Sequence, residues 1–427
     1  MNYVSMSKEE LVKIEQQLLE QYNEYKSKGL KLDLSRGKPC TEQLDLSQDM
    51  LYAIKSADDC LDANGFDCRN YGLGTGLTEA KEFFSSFTGV PAKNIIVCGT
   101  SSLNLMYDTV ARALLYGVVG SEHPWCKEEK IKFLCPAPGY DRHFAITQSL
   151  GFELITVKMT PTGPDMDKVE ALVKNDPSIK GIWCVPKYSN PTGITYSDET
   201  VERLAKMQTA APDFRIFWDN AYAIHDLAGK SDSLLDIFEC AKKYGNENRI
   251  FYFTSTSKVT FAGAGLAMLA ASDENLAQIV PIMGIQTIGP DKLNQIRHIK
   301  FFQDKESLKL HMQKHGKIVG EKFDILLSIL KEELSDLGIA KWTEPNGGYF
   351  VSLDVLEGCA KAVYQLCAEM GVTLTTVGAT FPYGIDPKDR NLRLAPTYAT
   401  NENLSVAAKI LTCAIKLACI KKIIASK

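Results

Sequence analysis

Seven short apolar runs along the middle of the chain constrain its fold more than any other feature. They are Ile95–Cys98, Ile131–Cys135, Leu154–Val157, Gly181–Val185, Ile216–Trp218, Ile250–Phe253 and Leu266–Ala270. Runs that are apolar throughout, without alternation, suit strands buried on both faces. Amphipathic segments such as Leu103–Leu115, Met166–Val173 and Glu199–Met207 lie between most of them. This alternation predicts an α/β fold with a largely parallel seven-stranded sheet covered by crossover helices. Ligands of such open sheets bind beyond the carboxyl ends of the strands.

The two ends of the chain read differently. Ser7 and Glu10 form a capping-box pattern for a first helix through Leu11, Ile14, Leu18 and Tyr22, stopping at Gly29. A strand-like Leu30–Leu34 follows. Beyond Asp291 the pattern turns helical from Lys292 to about Leu334, then reaches a turn at Pro345-Asn346-Gly347-Gly348, and closes on an amphipathic helix from Leu404. The expected division is an N-terminal helix and arm over 1–60, a large domain over 61–295 and a small domain over 296–427. The small domain draws on both ends. No internal repeat or low-complexity linker interrupts this plan.

Composition narrows the function classes. A net charge of −4 over 427 residues, with no basic tract interleaved with aromatics, argues against a nucleic-acid surface. No apolar stretch approaches the ~20 residues that span a bilayer, and no signal-peptide core stands near the start, so a cytoplasmic location without membrane attachment is expected. The 12 cysteines are scattered, with no C-x-x-C pair, and read as buried reduced thiols. His311 and His315 could share one helix face, but no Glu or Cys accompanies them, and no metal site is expected.

The chemistry concentrates at Ser255-Thr256-Ser257-Lys258, directly after the apolar run Ile250–Phe253. A lysine delivered at a buried strand end is mostly desolvated, loses part of its preference for the charged form and can attack a carbonyl as a free amine. Neighbouring hydroxyls suit an anchored phosphate. Asp219 likewise ends an apolar run, so its carboxylate emerges at a strand tip. Gly99-Thr100-Ser101-Ser102 follows a strand and opens a helix, where backbone N–H groups and hydroxyls can hold a phosphate.

Asn190-Pro191-Thr192-Gly193, Asp219-Asn220-Ala221-Tyr222, Ser255–Lys258 and Arg393-Leu394-Ala395 follow one another at set intervals. In this order the chain resembles the fold-type-I pyridoxal-phosphate aminotransferases. Through Ser35-Arg36-Gly37-Lys38-Pro39, Tyr71–Gly76 and Thr254–Gly265 it is most similar to the class Ic aspartate aminotransferases. The resemblance runs from about Leu32 to the end. It implies pyridoxal 5′-phosphate as cofactor, Lys258 as the Schiff-base residue and proton shuttle, and Asp219 opposite the pyridine nitrogen. Tyr222 and Asn190 would bond the ring's 3-oxygen, and Tyr140 would stack on the ring. Thr100, Ser101, Ser102, Ser255 and Ser257 would hold the phosphate. Tyr71 would reach the phosphate of a neighbouring subunit, making a homodimer with shared active sites. Arg393 would clamp the α-carboxylate, which a lysine could not do in bidentate fashion. Arg36, Gly37, Lys38 and Arg142 are the candidates around the substrate's distal end.

Two departures from better-known aminotransferases stand out. Leu266 occupies the place of a phosphate-binding arginine, so backbone amides of Ala262–Gly265 are the expected substitute. The stretch Gln286–Asp291 carries no arginine for a distal carboxylate. The expected reaction is transamination between L-aspartate and 2-oxoglutarate, with an aromatic or kynurenine aminotransferase as the alternative. A regulator built on the same domain would need a long N-terminal DNA-binding segment; with the apparent fold beginning within about thirty residues, none is expected.

Overall fold

The computed structural model describes residues 2–427. All seven apolar runs form strands of one eight-stranded sheet. Its spatial order is Ile95–Val97, Ala267–Ala270, Ile250–Ser255, Arg215–Asp219, Ile179–Cys184, Lys132–Ala137, Glu153–Thr160 and Gly163–Pro164. From Ile250–Ser255 to Glu153–Thr160 every pairing is parallel. Ala267–Ala270 runs antiparallel to both its neighbours. The eighth strand, unseen in the sequence pattern, is a two-residue return after Glu153–Thr160. Two residues cannot make an apolar run.

The absence of alternation has a direct cause. Ile216, Trp218, Ile250 and Tyr252 point into one apolar core, whereas Phe217, Phe251 and Phe253 point into another on the opposite face. Successive side chains alternate sides, and both sides are dry. Phe217 stacks on Phe253 of the neighbouring strand at 5.8 Å and, across the intervening strand Ile179–Cys184, lies edge-on to Phe133 at 5.4 Å.

A separate core joins residues from both ends of the chain, including Leu11, Leu18, Leu34, Phe323, Leu330, Leu353, Leu394, Leu411 and Ile420. The helix Lys8–Ser27 starts on a true capping box, with Ser7 Oγ accepting from Glu10 N–H and the Glu10 carboxylate accepting from Ser7 N–H. Beside it lie the helices Lys305–Leu334 and Asn401–Ser426. An antiparallel sheet of Ala340–Trp342, Val351–Val355 and Asn391–Leu394 completes this layer, and Leu32–Asp33 pairs in parallel with Val372–Thr373.

Two expectations need correction. The helical stretch from Lys292 is two helices, Lys292–Phe302 and Lys305–Leu334, broken at Gln303, whose φ is +54°. Asp304 restarts the helix by accepting from Ser307 N–H at 2.8 Å. The closing helix Asn401–Ser426 is in fact long and apolar enough to cross a membrane, yet 72% of its most apolar stretch is buried within the protein. It serves as the central rod of the core formed by the two chain ends. All cysteines are free thiols, and all but Cys98 and Cys126 are buried.

Candidate active site

The carboxyl ends of the parallel strands open into a cavity of about 290 Å³. Its wall brings together Ser101, Ser102, Tyr140, Arg142, Asn190, Asp219, Tyr222, Ser255, Ser257 and Lys258, while Gly37, Phe350 and Arg393 close it from the terminal layer. Residues scattered over most of the sequence thus face one space.

Asp219 is the last residue of its strand and is 3% exposed. Its Oδ2 meets His143 Nε2 at 2.9 Å, and its Oδ1 is buried without a hydrogen-bond partner among the described residues. A buried carboxylate oxygen with no donor is costly, so this atom calls for a ligand N–H. His143 is fixed in turn by Trp183, which stacks on it at 4.4 Å, and by the edge of Tyr140 at 4.9 Å.

Lys258 follows the strand Ile250–Ser255 and is partly open to the cavity. Burial pushes its ammonium below the ordinary lysine range, and the Asp219 carboxylate partly opposes this. Its Nζ lies over the Tyr222 ring at 5.1 Å and the Tyr349 ring at 5.8 Å. Burial raises the Tyr222 hydroxyl well above the usual phenol range, so it is a neutral donor.

At the other end, Ser101 caps the helix Ser102–Tyr116 by accepting from Leu103 N–H at 3.2 Å. Ser255 Oγ lies 3.1 Å from Ser257 Oγ, which donates to the Thr100 carbonyl at 3.2 Å. A helix N-terminus ringed by hydroxyls is an anion cradle. Thr100 itself does not line the cavity. Leu266 points into the core, 2% exposed, with its N–H on Thr256 Oγ1 at 2.8 Å. The loop Ala262–Gly265 is also outside the lining; a Cβ on Gly265 would meet Ser257 N at 3.0 Å, so its bareness lets Ser257 pack closely.

Arg393, on the strand Asn391–Leu394, carries its guanidinium over the Phe350 ring at 5.0 Å. Its Nη1 donates to Asp141 Oδ1 at 2.8 Å and lies 3.5 Å from Asn190 Oδ1; its Nε donates to Thr375 Oγ1 at 3.3 Å. Among the four residues proposed for the distal end, the cavity receives Gly37 and Arg142. Arg36 turns away to Asp33 at 2.9 Å, and Lys38 lies over the Tyr398 ring at 4.0 Å. Tyr71 is 75% exposed and stands outside this cavity. His311 and His315 are buried with Nε2 atoms 3.0 Å apart; His311 meets the Val259 carbonyl and His315 meets Gln43.

Sequence reasoning missed His143, Asp141, Trp183 and Phe350. His143 had a findable signal, since it lies three residues after Tyr140 and so shares a helix face with it.

Among protein families, the aspartate amino-transferase model matches residues 6–427. The chain belongs to this family. An aspartate aminotransferase of Corynebacterium glutamicum is 46% identical over 92% of this chain and 91% of its own length. The crystal structure of an aspartate transaminase from the same species superposes with a TM-score of 0.96 at 43% identity, covering 99% of both chains. The fold also matches LysN, an α-aminoadipate aminotransferase from Thermus thermophilus complexed with N-(5′-phosphopyridoxyl)-L-leucine, with a TM-score of 0.74 at 22% identity, covering 99% of this chain and 97% of that one. The aminotransferase family implies pyridoxal phosphate, and the cavity suits it: an orphaned carboxylate oxygen for a ring N–H, a lysine with a depressed pKa and a hydroxyl-lined helix start.

Proposed function

We propose that the protein is a pyridoxal-phosphate-dependent aspartate aminotransferase that moves the amino group of L-aspartate to 2-oxoglutarate, giving oxaloacetate and L-glutamate in two half-reactions. The carrying observation is that Lys258, Asp219, Arg393 and Arg142 all line one cavity. Bound there, the cofactor supplies the electron sink that makes the substrate's α-proton labile. Lys258 holds the cofactor covalently at rest, then takes and returns the proton at the α-carbon. Asp219 keeps a proton on the ring nitrogen, and His143 keeps Asp219 in place. Tyr222 and Asn190 bond the ring's oxygen, and Tyr140 covers the ring face. Ser101, Ser102, Ser255, Ser257 and the helix start behind them take the phosphate.

Arg393 binds the α-carboxylate common to every amino-acid substrate. Arg142, exposed and with no ion-pair partner among the described residues, takes the distal carboxylate. That second cation favours dicarboxylates over aromatic substrates. The active form is a homodimer in which Tyr71 of each subunit reaches the phosphate of the other; a largely exposed tyrosine ring beside a glycine-rich turn supports this reading.

Spectral titration of the cofactor-loaded protein with L-aspartate, L-glutamate and L-kynurenine tests the proposal. Conversion to the pyridoxamine form by aspartate and glutamate at low concentration supports it. Conversion chiefly by kynurenine replaces it with the aromatic reading, and no cofactor band at all overturns both.

A further inference from the structure

The guanidinium that is to receive the substrate's α-carboxylate already holds a carboxylate. Asp141 Oδ1 accepts from Arg393 Nη1 at 2.8 Å, and both residues line the cavity. The Arg393 side chain is only 10% exposed and that of Asp141 32%, so the guanidinium is held in the cavity wall while Asp141 keeps partial access to solvent. Asp141 is also the first residue of the helix Asp141–Ser149, whose N-terminal dipole favours its negative charge without help from Arg393.

We infer that Asp141 is a built-in competitor for Arg393 and thereby sets both affinity and selectivity for carboxylate-bearing substrates. The inference rests on Arg393 being the α-carboxylate ligand. A guanidinium this buried is expensive to leave unpaired, and Asp141 removes that expense. An incoming carboxylate makes the same charge-assisted bonds that it displaces, so the exchange is close to even for a carboxylate. A ligand lacking one has nothing equal to offer and leaves Asp141 in place. Selectivity against such ligands therefore comes with weaker binding of the correct ones. Once displaced, Asp141 keeps its helix-terminal site and a route to solvent.

The test uses succinate, a dicarboxylate without an amino group, titrated calorimetrically into wild type, Asp141→Asn and Asp141→Ser, each with and without cofactor. In both variants the succinate Kd should fall by about tenfold or more, equivalent to ~1.4 kcal/mol. The KM for L-aspartate should fall in parallel, with a smaller change in kcat. Asp141→Ser keeps a hydroxyl at the helix start should the Asn variant fold poorly. Unchanged affinity would show the contact to be inert, and weaker affinity would show Asp141 to be an orienting partner of Arg393; either overturns the inference. A succinate complex whose crystal structure leaves Asp141 on Arg393 overturns it too. Wild type that binds succinate more weakly than the variants but does not transaminate aspartate would sink the reaction assignment alone. No succinate binding by any form removes Arg393 as the carboxylate ligand, and the inference with it.

Discussion

His143 Nε2 lies 2.9 Å from Asp219 Oδ2, and this single contact leaves the other carboxylate oxygen of Asp219 as the buried acceptor that faces the cavity chemistry. Removing the imidazole frees a buried carboxylate to rotate and loses a bond to a charged group, worth ~1.5–3 kcal/mol. His143→Ala should therefore lower kcat by roughly 10- to 100-fold and weaken cofactor retention, measured by steady-state assay and by cofactor loss on gel filtration. Normal values for both would remove His143 from any positioning role.

Lys258 is predicted to carry the cofactor. Borohydride reduction of the loaded protein, followed by peptide mass spectrometry, should place the added mass on the peptide containing Lys258. Lys258→Ala should lose that label and turnover by on the order of a thousandfold or more, as expected for loss of a general base. A label on any other lysine would end the assignment.

Substrate charge should separate the cations. Arg142→Ala is expected to raise the KM for aspartate and glutamate by roughly 10- to 100-fold while sparing alanine, because one charge-assisted hydrogen bond is at stake. Arg36→Ala and Lys38→Ala should stay within about twofold, since an exposed ion pair and a surface stacking contact contribute little. The reverse ranking in a KM series would return the distal site to Arg36 or Lys38.

Gly37 leaves room for a ring. A Cβ there would meet Phe350 Cζ at 2.0 Å, and Phe350 is the platform beneath the Arg393 guanidinium. Gly37→Ala should cost ~1–3 kcal/mol of overpacking and raise the KM of every amino-acid substrate. Thermal melts and a KM survey would check this; a selective effect on aspartate alone would contradict it.

Acid should destabilise the protein through three buried histidines. Burial pushes His225 down to about 3, His298 to about 4 and His315 to about 3. Below pH 6.5 the unfolded chain takes up protons that the folded one refuses, so this stability is fully present above 6.5 and is lost as pH falls through the folded values. Denaturant midpoints should drop steadily from pH 6.5 towards 4, with a shallower slope for His225→Asn. Equal slopes would show that His225 titrates normally.

The seven strands and their chemistry were legible because the relevant signals are local. Burial on both faces forces apolar runs; Asp219 ends the strand of one, and Lys258 lies three residues beyond the strand of another. Docking decided the rest. Arg36, Gly37 and Lys38 are indistinguishable by position, but Asp33 and the Tyr398 ring draw the two cations off and leave Gly37 in the wall. His143 and Asp141 look like ordinary polar residues of a helix start until that helix is set against the strand tip of Asp219. The break at Gln303 had a local signal in Asp304 and Ser307, a capping pair hidden inside a long amphipathic stretch.

The shared core of the two chain ends also sets an order of events. Leu11 and Leu18 of the first helix are covered by a core that includes residues of Asn401–Ser426, and Cys413 Sγ rests on the Leu18 carbonyl at 3.9 Å. At ~5–20 residues per second a ribosome needs on the order of tens of seconds to make the chain between those helices. For that time the earliest apolar stripe has no permanent partner, while the central sheet can already assemble. Asn401–Ser426 is then the latch that closes the shared core, and until it arrives the apolar stripe of Lys8–Ser27 stays uncovered on that side.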